Sequence, residues 1–530
     1  MYAGNFAYPH DIIRLFFMKR QDILLCLIFF SVGIFSRLPL VEKMQSHMDG
    51  PTYSIALVNY SFEQDNPTAP GYPLYVGLAK TLLPLTNDPH QALVLVSVLF
   101  SGIGAVIFFL FGRSLFNKTC GVIAACYFLS SPSIYFFGIT TYGYIVVLVM
   151  TTSVAWCVYE IVFKGKKLAL LLGVLYAASL GVRPQEVMLT LPLFLFGVFS
   201  LSFIERLKAV VAFGISFFFW FVPFVLLTGG LDHFLSASSL AAKSALINPS
   251  LTFFLRKQFE LGSGFFLTIG AGMIILVGFV LRVVVKLRRN PRISNWQKKF
   301  IIFSIVWFVP PFFFNIFVRT DHAGYQLNFL AYFIILLSLF LAKEFGKKRY
   351  FLFLITSLLV VCNLVIFFYN RDSQHLRPYR QSSLHYTDIR RNDFELSSKV
   401  FYIKDKFSPY DTILLSSTPF WKQYMYHLPE YQVYSIDGLF SFDRRYASLI
   451  RKGQNWRRDM YESNSFLFTI PDGITRIVIL DSESCIWPSL QGQKIRRSSR
   501  NLCMTQLEVK QNEQYRYHYK NFERVGKSVR

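Results

Sequence analysis

Eleven apolar runs fill the first 369 residues of the chain, covering about 22–40, 91–111, 120–137, 142–163, 168–182, 187–203, 209–228, 262–285, 300–318, 324–341 and 350–369. A helix rises about 1.5 Å per residue and a hydrocarbon core is about 30 Å thick, so about 17–25 apolar residues make one membrane span. The fifth and sixth runs are short and separated only by Arg183-Pro184-Gln185-Glu186. A proline disfavours helix at the residue before it, which makes a turn there. Composition agrees with a polytopic membrane protein. Residues are 53% hydrophobic and 18% aromatic, with 57 Phe, and only 16% are charged, whereas about a quarter are charged in soluble proteins. Disordered, fibrous and disulfide-scaffold classes are excluded.

The net charge of +24 has to be read by position before it is read as affinity for nucleic acid. Up to Tyr369 there are 29 Lys and Arg against 14 Asp and Glu; from Asn370 onward there are 26 against 17. With the N-terminus inside, alternate loops collect 21 of those first 29 basic residues, most densely between Arg282 and Lys299. Lys and Arg in short loops mark the cytoplasmic side, so eleven crossings leave the C-terminal part outside. The sequence therefore predicts a polytopic helical domain over 1–369, with its first outer loop at 41–90, and an extracytoplasmic domain over 370–530. The first run is a signal anchor, because it lacks a small-residue cleavage site and leads into further spans.

Beyond Asn370 the pattern changes to short apolar runs and amphipathic stretches. Helix is expected over 388–403 and 420–427, and strand over 412–417, 431–436 and 474–480, together a small α/β domain. Five of the seven cysteines lie in or beside apolar runs, where thiols are usually inert packing groups. Cys485 and Cys503 share the outer domain and can pair in an oxidising compartment. Basic clusters at 444–458 and 496–500 fit contact with anionic lipid heads or an acidic glycan, or simply a solvated face. Nucleic acid is not an expected partner on the outer side.

The outer loops hold the residues with chemical potential. Asp49 follows the first span. Beyond it come Tyr53-Ser54-Ile55-Ala56, then Pro70-Gly71-Tyr72-Pro73-Leu74-Tyr75, and an apolar stretch from Leu74 to Leu85 that suits a helix lying in the membrane interface. Arg183-Pro184-Gln185 follows the fifth span, and Asp321-His322-Ala323-Gly324-Tyr325 opens the tenth. In this order the segments, over roughly residues 20–345, resemble the C-class glycosyltransferases, polytopic enzymes that use polyprenyl-phosphate sugars. The nearer likeness is to the branch of protein mannosyltransferases and bacterial lipid A aminoarabinose transferases.

That resemblance implies a catalytic Asp in the first outer loop, here Asp49, a polyprenyl-phosphate-linked sugar as donor, and inversion at the anomeric carbon. It also implies work in cell-envelope glycan biosynthesis or in protein or lipid glycosylation. Chemistry sets matching demands: a base for the acceptor hydroxyl, a cation or hydrogen-bond donors for the departing phosphate, and a site at the interface, because the donor's tail stays in the bilayer. Arg183, Arg319 and His322 are the candidates to meet the phosphate, Arg being favoured by its bidentate fork. Tyr72, Tyr75 and Tyr325 are candidates to stack on sugar or line the isoprenoid groove.

Each has a plainer alternative. The two arginines can snorkel at the interface. His322 can be a helix-entry residue beside an Asp321 N-cap, and the tyrosines can belong to the interfacial aromatic belt.

Two departures from the family pattern stand out. Gly50 follows Asp49 where many members carry a second acid, and Thr140-Thr141-Tyr142 stands where many carry an acid at the start of the fourth span. No acidic cluster is evident, so no protein-held metal and no cofactor are expected. The expected function is sugar transfer from the lipid-linked donor to a hydroxyl of a lipid, glycan or protein on the non-cytoplasmic face. The expected location is a bacterial inner membrane, with the endoplasmic reticulum as alternative. The rival readings are a polytopic transporter, which needs ionisable residues at mid-span, and a non-catalytic protein that binds lipid-linked sugar or scaffolds its assembly.

Overall fold

The computed structural model describes residues 19–45, 49–62, 66–245, 294–317, 323–369, 384–416 and 421–435, isolated positions between 270 and 282, and most of 465–527. It divides into two compact units, one made of Met1–Glu42 and Thr68–Asp388, the other of Lys43–Pro67 and Ile389–Arg530.

The first unit is helical. After α1 (Arg20–Phe35) come, setting aside α2 in the second unit, α3 (Pro73–Thr86), α4 (Pro89–Leu115), α5 (Lys118–Ser130), α6 (Pro132–Phe137), α7 (Tyr144–Lys164), α8 (Ala169–Val182), α9 (Glu186–Phe199), α10 (Phe203–Leu227), α11 (Leu231–Ala245), α12 (Asn295–Phe317), α13 (Leu327–Phe345) and α14 (Arg349–Phe368). Seven helical segments among the described residues are long and apolar enough to cross a membrane. The helices Lys118–Ser130, Ala169–Val182 and Glu186–Phe199 are apolar but shorter. The expected eighth span, 262–285, lies largely outside the described residues.

Local chemistry sets the helix ends. The carboxylate of Asp88 accepts from the backbone N–H of His90 at 2.7 Å and of Gln91 at 3.2 Å, with Pro89 at the first helical position, and so starts α4. The run 120–137, expected as one span, breaks into α5 and α6. Pro132 holds Ser131 out of the helical region, at φ −57° and ψ 126°. Pro184 does the same to Arg183, extended at φ −152° and ψ 102°, and ends α8. The α4/α5 hairpin closes through small residues: a Cβ on Gly121 would stand 2.4 Å from the Phe109 carbonyl oxygen. Close backbone approach of this kind is how membrane helices gain packing contact without a hydrophobic drive.

The second unit joins α2 (Asp49–Val58) to α15 (Tyr386–Lys406), β1 (Thr412–Ser416), α16 (Trp421–His427), β2 (Gln432–Ser435), β3 (Ser465–Thr469), β4 (Arg476–Ile479), β5 (Gln493–Ile495), β6 (Met504–Glu508), β7 (Glu513–His518) and β8 (Asn521–Lys527). One sheet has the order β2-β1-β4-β6-β5; β1 runs parallel to β2 and β4, and β6 antiparallel to β4 and β5. The other is the antiparallel β3-β7-β8.

Strand residues alternate between faces with a period of two. Leu414 accordingly enters a core with Leu396, Ile403, Trp421 and Val433, whereas Ile413 and Leu415 enter another with Ile470, Ile477 and Ile479. The expected α/β domain and its five sequence-read elements are all present. The first outer loop was expected within 1–369; in the structure its residues 43–67 group with the C-terminal residues. Cys503 is disulfide-bonded and five other cysteines are free; Cys485 lies outside the described residues.

Candidate functional site

In the first unit the polar groups converge on the α8/α9 turn. The Arg183 side chain is 3% exposed and lies 3.5 Å from the Glu186 carboxylate, three residues on across the turn. Asn328 at the start of α13 donates to both oxygens of Glu186, at 2.9 and 3.0 Å. The guanidinium sits over two rings, 4.2 Å from the centre of Tyr325 and 5.1 Å from that of Tyr144. The two rings meet edge to face at 5.6 Å.

Gly324 makes this possible, because a Cβ there would fall 2.4 Å from the Tyr144 ring. A buried cation is tolerable when an acid, a ring face and a fixed geometry meet it together. Among the described residues Arg183 Nε has no hydrogen-bond partner, which leaves the fork a donor beyond the Glu186 contact.

Tyr72 precedes α3 as its N-cap residue and is partly exposed. Tyr75 is fully buried; its hydroxyl donates to the Thr141 carbonyl at 2.6 Å, and its ring lies 3.2 Å from the Cβ position of Gly143. A ring with no exposed face packs the fold. Arg319 and His322 lie outside the described residues. The structure thus brings Arg183 and Tyr325 into contact and sends Tyr75 into the core.

Asp49 belongs to the second unit and opens α2 there. It is partly exposed, while Gly50, Pro51, Thr52, Tyr53 and Ser54 behind it are buried. Thr52 Oγ1 donates to the Asp49 carbonyl at 2.8 Å, and an acid in the first turn complements the positive end of the helix.

Three residues not singled out from sequence carry further polar structure in the first unit. The Glu42 side chain is fully buried. Its carboxylate accepts from the Thr141 backbone N–H at 2.7 Å and lies 3.9 Å from His90 Nε2, which is 3.2 Å from the Glu42 carbonyl. The segment Thr140-Thr141-Tyr142, lacking an acid of its own, therefore receives one from the end of the first span.

Arg37, fully buried, donates to Ser36 Oγ at 2.9 Å and to the Leu129 carbonyl at 3.0 Å, with its guanidinium 4.4 Å from the centre of Tyr135. Its sequence signal was a charge set inside an apolar run, and that of Glu186 was the acid three residues after Arg183. Among the described residues no three His, Cys, Asp or Glu side chains group as metal ligands.

Residues 67–226, which include α3 and the Arg183 turn, match the family described as dolichyl-phosphate-mannose-protein mannosyltransferase. Two solved structures of ArnT from Cupriavidus metallidurans share the fold. The one bound to undecaprenyl phosphate has a TM-score of 0.54 at 11% identity and covers 94% of this chain and 98% of its own. The apo form gives 0.54 at 10% identity, with 92% and 97% covered. No curated protein sequence matches the chain.

Proposed function

We propose that the protein transfers a sugar from a polyprenyl-phosphate-linked donor to a hydroxyl of a lipid, glycan or protein. The observation that carries this is the mannosyltransferase-family match over residues 67–226, which contains the buried Arg183 turn. The ArnT structure bound to undecaprenyl phosphate gives the same fold a ligand of the expected class. Asp49 takes the proton of the acceptor hydroxyl as that oxygen attacks the anomeric carbon. The bond from that carbon to the phosphate oxygen breaks, the lipid phosphate leaves, and the configuration inverts. Arg183 meets the charge developing on the departing phosphate.

The loop charges support a cytoplasmic N-terminus and transfer on the opposite face; the membrane proposed is a bacterial inner membrane. The transporter reading needs ionisable residues at mid-span, whereas Glu160 lies near the C-terminal end of α7 and is engaged by Lys166 at 2.5 Å, Lys164 at 3.4 Å and Ser114.

The test uses purified wild type and Asp49→Asn with short-chain polyprenyl-phosphate sugars and a membrane extract, reading label moved to acceptor. Transfer by wild type with a loss of at least about a hundredfold in the variant is expected. Equal transfer by both would remove Asp49 as base, and transfer by neither from any donor would overturn the reading.

A further inference from the structure

Residues 43–45, which lead into the Asp49 helix, are held by their backbone in the second unit. The Lys43 N–H donates to both carboxylate oxygens of Asp393 at 3.1 Å each, and the Met44 N–H donates to Oδ1 at 2.9 Å. Arg390 Nη1, one turn back on α15, donates to Oδ2 at 2.9 Å and fixes the carboxylate from the other side. Burial raises the Asp393 carboxyl from its ordinary value, and these same donors oppose that shift.

The next N–H, that of Gln45, donates to His427 Nε2 at 3.2 Å, and the Gln45 side chain bonds Ser54 Oγ within α2. Met44 packs against the core formed by α15, α16 and the sheet. At the far end of the loop, Lys422 Nζ donates to Asn66 Oδ1 at 3.2 Å. Two successive backbone donors on one carboxylate leave the chain little rotational freedom at Lys43 and Met44, shortly before α2.

We propose that Asp393 is a positioning residue: the C-terminal domain sets where Asp49 stands by clamping the backbone that leads to it. The inference rests on Asp49 acting in the transfer proposed above. It assigns the domain a task in the reaction, where its sequence alone named no ligand. A carboxylate can do this better than a neutral group because charge-assisted bonds to N–H are the shorter and stronger kind. Small displacements of a base cost rate rather than donor affinity.

The test compares full-length wild type with Asp393→Ala, Asp393→Asn and Asp393→Glu in lipid nanodiscs, by amide hydrogen exchange over residues 43–62 and by steady-state transfer from a short-chain polyprenyl-phosphate sugar. For Asp393→Ala we expect exchange at 43–45 to quicken and kcat to fall at least about tenfold, with the donor KM within about twofold of wild type. Asp393→Glu should recover part of the kcat. Unchanged exchange, an unchanged kcat in the folded Ala variant, or a loss carried wholly by KM would overturn the proposal. Absence of transfer by wild type from every donor would instead sink the transferase reading, and the exchange measurement would then decide the clamp by itself.

Discussion

The guanidinium of Arg183 lies 4.2 Å from the centre of the Tyr325 ring. Stacking of this kind needs a planar, delocalised cation, and the Glu186 carboxylate 3.5 Å away needs a fork that can point at it while keeping a donor to spare. Arg183→Lys keeps the charge but loses both properties. It should lower transfer from a lipid-phosphate donor by about 10–100-fold, with a thermal midpoint closer to wild type than that of Arg183→Ala. Parallel kinetics and thermal unfolding of the two variants check this. Lysine at wild-type activity would reduce the role of Arg183 to a point charge.

Glu186 has a different consequence when altered. It is fully buried and bonded twice by Asn328. Glu186→Ala would leave Arg183 a buried cation without its acid, a situation that costs about 3–5 kcal/mol in soluble proteins. The double variant Glu186→Ala/Arg183→Met, with no buried charge left, should recover much of that loss while staying inactive. A double variant no more stable than Glu186→Ala would mean that the pair adds nothing beyond its separate contacts.

Glu42 ties the end of the first span to the start of the fourth through the Thr141 N–H at 2.7 Å. Removing an acceptor from a buried donor costs about 1–3 kcal/mol. Glu42→Ala should therefore lower the midpoint of thermal unfolding, and Glu42→Gln, which keeps one carbonyl acceptor, should lower it less. Equal midpoints for all three proteins would show that the Thr141 N–H finds another partner.

Much of this was legible because apolar length and period are local properties. The runs at 91–111 and 142–163 became α4 and α7, and the alternation in 412–417 became β1, with Leu414 and its neighbours facing opposite cores. What was not legible depends on distance along the chain. Asp393 and the Lys43 N–H are 350 residues apart, and nothing near either residue announces the other. Likewise Thr140-Thr141-Tyr142 reads as lacking an acid, because the carboxylate that serves it arrives 99 residues earlier, at Glu42. Tyr75 shows the same dependence: a tyrosine in a Pro/Gly-rich outer loop looks accessible in sequence, yet its hydroxyl donates to the Thr141 carbonyl, 66 residues on.

His385 supplies a dependence on pH. Burial lowers its imidazole from the ordinary value, against the opposing effects of Asp388 and of the bond to the Ile366 carbonyl at 3.0 Å. The unfolded chain then takes up this proton before the folded one. The stability contribution is present above the unfolded value of about 6.5 and falls away as pH drops below it. Wild type should lose midpoint temperature between about pH 7 and 5 more steeply than His385→Gln, which does not titrate. Parallel slopes would exclude His385 as a contributor.

Two glycines make a matched pair for the packing of the helical unit. A Cβ on Gly121 would meet the Phe109 carbonyl oxygen at 2.4 Å, whereas one on Gly77 in α3 would meet nothing within 4 Å. Backbone atoms cannot swing aside as a side chain can, so Gly121→Ala must push α4 and α5 apart, at a cost of about 1–3 kcal/mol or more. Gly77→Ala adds the same methyl to a helix with open space around it, where alanine is favoured over glycine by up to about 1 kcal/mol. The first should lower the unfolding midpoint and the second leave it unchanged or raise it. Gly121→Ala at wild-type stability would mean that the α4/α5 contact is looser than the 2.4 Å approach requires.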